Sequence, residues 1–201
     1  MDPRPPLSAP EPADVVARVL RGPARLGGVR LVTVDGPAGS GKTTLAGRLA
    51  AAFGPDAVVV PLDDLYAGWT LTGARARLLA GVLRPLAEGR AGAYHRYDWS
   101  TRWFVPGATV VPVPRVLLVE GCGSSPRALD RWTTLRIWVE APTDLRLARG
   151  LARDGAHLAP EWRRWQQTEA VEFAREDTRT RADLLVDGAR TSGDDGTVVL
   201  R

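Results

Sequence analysis

The chain has 201 residues, 44% hydrophobic and 25% charged, with a formal net charge of +4. That balance excludes an intrinsically disordered chain, and no apolar run approaches the ~20 residues a membrane helix needs. A lone cysteine excludes an intramolecular disulfide, and two histidines beside it at no ligand spacing exclude a structural zinc site.

Residues 1–12 are proline-rich and lack the apolar core of a secretory signal. They read as a flexible leader to a single domain over 13–201, and a cytoplasmic location is expected. Val16, Val19 and Leu20 have helical spacing, and Gly22-Pro23 stops that helix. Residues 29–34 form a short β-branched run, the pattern of a buried strand, and run straight into Asp35-Gly36. A helix follows, with Leu45, Leu49, Ala52 and Phe53 on one face and Gly54-Pro55 at its end.

A second apolar run at 57–62 ends in Asp63-Asp64-Leu65-Tyr66, and 72–88 reads as a helix. The polar and aromatic stretch 94–104 reads as loop, with a turn and a short extended piece after Pro106-Gly107. Strands are predicted at 116–119, ending in Glu120, at 135–139, ending in Glu140, and at 184–186; helices are predicted from Pro142 and over 160–182. Residues 198–200 read as an edge strand. Strands alternating with helices point to α/β architecture: three layers, a five-stranded and mainly parallel sheet with helices on both faces.

Gly36 to Thr43 matches G-x-x-x-x-G-K-[ST], the phosphate-binding loop of the P-loop NTPase fold. Glycines let successive backbone N–H groups face one concavity, and the following helix adds its positive end to the same point. The nucleotide-binding residues read from this loop are Gly36, Ala38, Gly39, Ser40, Gly41, Lys42, Thr43 and Thr44. Lys42 is suited to the β- and γ-phosphates and the Thr43 hydroxyl to Mg²⁺. Lys42 is also the only lysine in the chain. The expected cofactors are therefore ATP and Mg²⁺.

Ligands of parallel α/β sheets bind beyond the carboxyl ends of the strands. Asp63 and Glu120 fall there. A phosphoryl transfer needs a carboxylate beside the acceptor hydroxyl and acidic support for the metal, so Asp63 is a candidate for both roles and Glu120 for the second. Arg146, Arg149 and Arg153, spaced at three and four, share one helix face suited to charge on a transferring phosphoryl group. Arg149 and Arg153 are the candidates for a catalytic part. The remaining arginines are scattered and no nucleic-acid module is visible, so a small molecule is the expected partner. The pattern says nothing about oligomeric state.

The order Val-Asp-Gly-x-x-Gly-Ser-Gly-Lys-Thr-Thr, Leu-Asp-Asp-Leu-Tyr, Tyr-Asp-Trp, Val-Leu-Leu-Val-Glu-Gly and Arg-x-x-x-Arg-Asp resembles the uridine kinase family, close to the wider group with phosphoribulokinase and pantothenate kinase. The resemblance spans about residues 30–187. It implies an ATP-dependent kinase whose leading acceptor is a nucleoside such as uridine or cytidine. It implies that Asp63 matches the catalytic carboxylate, that Tyr66, Tyr97 and Asp98 contact the acceptor, that Glu120 ends the Walker B strand, and that a short helical lid at about 145–160 carries the arginines over the triphosphate.

Two departures from the family concern the acceptor. Uridine kinases carry an acidic segment that binds the ribose hydroxyls, whereas Ala67-Gly68-Trp69-Thr70-Leu71-Thr72 offers no carboxylate. The histidine expected after the Tyr-Asp pair is absent, with Arg102 nearby, which makes Arg102 a candidate substrate contact. A ribose held by fewer carboxylates, or an acidic acceptor meeting Arg96 and Arg102, both fit. Of the remaining residues, His95 reads as a surface histidine, Cys122 as a small buried residue and Trp162 and Trp165 as packing, while Trp69, Trp99 and Trp103 read either as ordinary cover for the loop or, for one of them, as a stacking platform.

Overall fold

The computed structural model describes residues 11–189. Of the leader expected over 1–12, residues 1–10 lie outside them, as does the edge strand expected at 198–200, while Glu11 caps and Pro12 opens the first helix. Helix α1, Pro12–Arg21, starts on a proline at its first turn and packs its buried Val15 and Val19 against α2. Strand β1, Arg30–Asp35, leads through the glycine loop into α2, Lys42–Phe53. Strand β2, Ala57–Pro61, ends in a single 3₁₀ turn, Leu62–Asp64.

The helix expected over 72–88 forms in pieces: α3, Ala74–Leu78, a π-helical stretch Leu79–Leu83, and α4, Arg84–Ala87. Pro85 explains the break. It has no N–H to donate, and its ring would press on the Gly81 carbonyl four residues back, so the preceding turn widens.

Residues 94–104 are not a loop. They belong to a hairpin of β3, Gly92–Asp98, and β4, Trp103–Val111. Tyr94 and Tyr97 are both buried although three residues apart, because the register slips between His95 and Tyr97. That irregularity breaks the period-two alternation by which a half-buried strand is recognised. The hairpin packs closely on the π-helical stretch: a Cβ at Gly81 would lie 2.4 Å from the Ala93 carbonyl oxygen.

Strand β5, Val116–Glu120, is buried throughout. Strand β6, Thr133–Glu140, leads to α5, Thr143–Asp154, a short 3₁₀ turn and α6, Ala159–Glu176, which Asp177 ends in the left-handed conformation. Strand β7 is Leu184–Asp187.

The central sheet has five strands in the order β2-β5-β1-β6-β7, all pairs parallel. One face carries α1 and α2 over Val32, Val34, Leu118 and Ile137. The other carries the broken helix, the hairpin, Tyr66 and Trp165 over Leu31, Leu117 and Val119. After β1 the chain crosses to the far strand β2, returns as β5 on one side of β1, and continues as β6 on the other. The crevice this opens lies at the carboxyl end of β1, where the glycine loop begins.

Candidate active site

Asp35 closes β1 and is fully buried. Its Oδ1 accepts the N–H groups of Gly36 at 2.7 Å and Gly123 at 2.8 Å, and its Oδ2 accepts that of Ser125 at 2.8 Å. The carboxylate thereby stitches the start of the loop to the segment after β5. Burial pushes its pKa up to about 6, against the pull of those three N–H groups and Lys42.

The loop glycines serve different ends. A Cβ on Gly36 would sit 2.1 Å from the Val139 carbonyl oxygen and one on Gly39 2.5 Å from that of Arg146, so both are needed for close backbone approach. Gly41, at φ 103°, faces open space with nothing within 4 Å, and α2 starts behind it with no side-chain cap. The first N–H groups of that helix are left facing the cavity, an arrangement suited to phosphate oxygens. Ser40 adds a buried hydroxyl with no hydrogen-bond partner among the described residues.

Lys42 is 7% exposed. Its Nζ donates to the Pro37 carbonyl at 2.9 Å and lies 3.7 Å from the Cys122 sulfur. Burial opposes its charge, but Cys122, Glu120, Asp63 and Glu169 around it outweigh that and raise its pKa. The Thr43 hydroxyl donates to Glu120 Oε1 at 3.1 Å. Burial lifts Glu120 to about 6, aided by Asp63 and opposed by Lys42 and Thr43. Asp63 is open to the cavity but walled by protein elsewhere, and this desolvation raises its pKa against the attraction of Lys42 and Arg153. Burial pushes the Cys122 thiol well up, against the attraction of Lys42.

The three arginines of α5 part company. Arg146 turns inward, donating to Glu169 Oε1 at 2.8 Å and to the Ala141 carbonyl at 3.1 Å, and does not line the cavity. Arg149 lines it, and its Nη1 donates to the carbonyls of Gly39 at 3.3 Å and Gly188 at 2.8 Å. Arg153 lines it too, paired with Asp154 at 2.7 Å and set 5.9 Å over the Trp162 ring.

On the opposite wall, the buried Tyr66 donates its hydroxyl to the Cys122 carbonyl at 2.8 Å. Tyr97 is buried, edge-on to Trp99 and Phe104. Asp98 lines the cavity while its Oδ1 holds the hairpin turn, accepting Ser100 N at 2.8 Å and Ser100 Oγ at 2.6 Å. Trp99 Nε1 donates to the Asp63 carbonyl at 3.1 Å, tying the hairpin tip to the end of β2. Trp162 and Trp165 are buried, as packing residues would be, and also line the cavity with Trp69 and Trp99. Trp103 points away, 76% exposed, and His95 lies on the outer side of β3, bonded to the Val105 carbonyl. His157 lines the cavity. The whole space is a single cleft of about 1260 Å³.

Three residues of this region were not singled out from the sequence: Asp35, Glu169 and Gly188. Glu169 is 2% exposed, accepts the Ala38 N–H at 2.8 Å and holds Arg146. A signal existed, since it shares the buried stripe of α6 with Trp162 and Trp165, where a carboxylate is out of place. Gly188 gave none: its closeness to the loop, 1.8 Å from a built Cβ to the Ser40 carbonyl oxygen, depends on β7 reaching the far end of the fold.

The parallel sheet and the glycine loop before α2 define the fold of the P-loop kinases. A protein provisionally named as a uridine kinase from Bacillus stearothermophilus superposes at TM-score 0.64, with 18% identity over 87% of this chain and 96% of that one. A protein provisionally named as a fructose transport system kinase from Silicibacter sp. TM1040 does so at 0.60, with 25% identity over 88% and 98%. The YGR205w protein follows at 0.51, with 13% identity over 86% and 89%. The chain thus has the fold of uridine kinase-like and related P-loop kinases. No protein-family model and no curated protein matches its sequence.

Proposed function

We propose that the chain is an ATP-dependent kinase that transfers the γ-phosphoryl group to a hydroxyl of a small metabolite. The observation that carries this reading is the convergence of Lys42, Thr43, Glu120 and Asp63 on one cleft, directly beyond the glycine loop. The triphosphate lies against Gly36, Ala38, Gly39, Ser40, Gly41, Lys42, Thr43 and Thr44. Lys42, Arg149 and Arg153 spread its charge.

The donors beside the loop fit Mg²⁺: they are hard oxygens, the Thr43 hydroxyl and the carboxylates of Glu120 and Asp63. Among the described residues no cluster of three or more acidic, histidine or cysteine side chains forms a closed cage. Mg²⁺ typically takes one or two carboxylates and fills its remaining positions with phosphates and water. Thr43, Glu120 and Asp63 would hold the ion there, and it would supply neutralising charge to the phosphate oxygens.

Asp63 orients the acceptor hydroxyl and takes its proton. Its raised pKa makes it a stronger base than a solvated aspartate. The acceptor oxygen bonds to the γ-phosphorus, the bond to the bridging oxygen breaks, and ADP leaves. Tyr66 and Tyr97 shape the acceptor wall with Asp98 and Arg102. The segment around 145–160 acts as the lid. No helix among the described residues is long and apolar enough to cross a membrane.

Aromatic walls at Trp69 and Trp99 suit the planar base of the nucleoside that the resemblance implies. The 67–72 segment supplies no carboxylate for a ribose, and Asp98 Oδ1 is engaged by the turn. The reading is tested by coupled measurement of ADP release from ATP–Mg²⁺ against nucleosides, pantothenate, sugars and sugar phosphates. Release that requires an acceptor and yields its phosphate ester supports the kinase. Release at the same rate without any acceptor replaces it with a regulatory ATPase.

A further inference from the structure

The acceptor end of the cleft carries positive charge that the transfer step does not use. Arg96 on β3 and Arg102 just before β4 both line the cleft that Asp63 faces. Among the described residues neither makes a hydrogen bond or an ion pair. The nearby carboxylates are engaged elsewhere. Asp64 feels Arg96 electrostatically, but its Oδ2 accepts the Tyr94 hydroxyl at 3.0 Å. Asp98 Oδ1 is taken by Ser100 and Thr101. Trp99, midway between the arginines in sequence, is anchored to the Asp63 carbonyl at 3.1 Å, so the arm bearing both guanidinium groups is held to the turn bearing the acceptor-facing carboxylate.

Arg102 also adopts φ +57°, one of two non-glycine residues in that region among those described. A left-handed residue with a Cβ is strained relative to the ordinary backbone. Glycine would remove that strain, but it would also remove a cation from the cleft wall. Strain of this kind recurs at ligand-binding sites, and of the two residues only Arg102 lines the cleft.

We propose that Arg96 and Arg102 form an anion-binding subsite for the phosphoryl acceptor. The acceptor then carries an oxyanion, a phosphate monoester or a carboxylate, at a distance from the hydroxyl that Asp63 deprotonates. Guanidinium groups bind such oxyanions through paired N–H donors. The oxyanion is unchanged by the reaction. This inference rests on the kinase reading, and the test separates the two.

Enzyme saturated with ADP–Mg²⁺, which fills the glycine loop, is titrated calorimetrically with ribose, ribose 5-phosphate and glycerate. The phosphate or the carboxylate compound is expected to bind more tightly than ribose, and whichever binds identifies the oxyanion. Arg96→Ala and Arg102→Gly should each weaken that binding by about tenfold or more. The melting temperature of Arg102→Gly should hold or rise, because the strained backbone is relieved, so its lost binding cannot be unfolding. The subsite is overturned if neither anion binds better than ribose, or if both substitutions leave anion binding intact. If ADP itself does not bind, the kinase reading falls instead. The same titrations on nucleotide-free Lys42→Ala protein, with and without the arginine substitutions, then read the subsite alone.

Discussion

Glu169, in the middle of α6, accepts the backbone N–H of Ala38 in the phosphate loop at 2.8 Å. Its other oxygen holds Arg146 of α5 at 2.8 Å, so one buried carboxylate joins both helices that follow β6 to the nucleotide cradle. Burial raises its pKa, and the Ala38 N–H, Lys42 and Arg146 work against that rise. Removing one member of a buried pair strands the other, at about 3–5 kcal/mol. Glu169→Ala and Arg146→Ala should each lower stability by that order in chemical denaturation. The double variant should cost less than their sum, since both remove the same interaction. Additive losses would show that the two side chains act separately.

Asp63 and Lys42 should separate chemistry from binding. Asp63→Asn is expected to reduce turnover by roughly 10²–10⁴-fold while ATP affinity survives. The Trp99 anchor is unaffected, because it uses the Asp63 backbone carbonyl. Lys42→Ala should weaken nucleotide binding as well as turnover, since its ammonium faces the same cleft. Calorimetric ATP binding beside the coupled ADP assay distinguishes the two patterns.

Asp35 should imprint a pH dependence on stability. Its folded pKa of about 6 lies above the ordinary value of 3.8, so the folded state holds the proton more tightly than the unfolded chain. The resulting stabilisation is full below pH 3.8 and is lost as pH rises through about 6, a change of about 3 kcal/mol. Asp35→Asn should abolish this component of the slope. It should also lower stability at every pH, because its amide cannot accept all three N–H groups. Urea denaturation of both proteins from pH 4 to 7 measures the difference.

Gly188→Ala should weaken nucleotide binding without touching a ligand-facing side chain. The added Cβ would meet the Ser40 carbonyl oxygen at 1.8 Å, and one of the two backbones must move. A displaced Ser40 misaims the loop N–H groups, and a loss of about tenfold or more in ATP affinity is expected, with a smaller effect on melting temperature. Calorimetry on the purified variant checks it.

The phosphate loop was legible because its chemistry dictates residue types at fixed spacing. The five central strands were legible because the strands of a covered parallel sheet read as short apolar runs. The hairpin was not, since the slip near His95 hides its alternation behind polar residues. Spacing correctly placed Arg146, Arg149 and Arg153 on successive turns of one helix, but could not say what lies opposite each. Glu169 captures the first, the carbonyls of Gly39 and Gly188 meet the second, and Asp154 meets the third. The first two are long-range partners, set by how α5 docks on α6 and on the loop, which no local pattern encodes; Asp154 is the next residue in sequence.

Trp69 sits at the hub of an aromatic set, edge-on to Trp99, Trp162 and Trp165 at centroid distances of 5.7 to 6.0 Å. Of the seven tryptophans in the chain, these four border the cleft. The protein therefore carries its own optical reporter: ultraviolet emission from these indoles will change when a ligand displaces water from their faces, and occupancy can be followed in real time without any label.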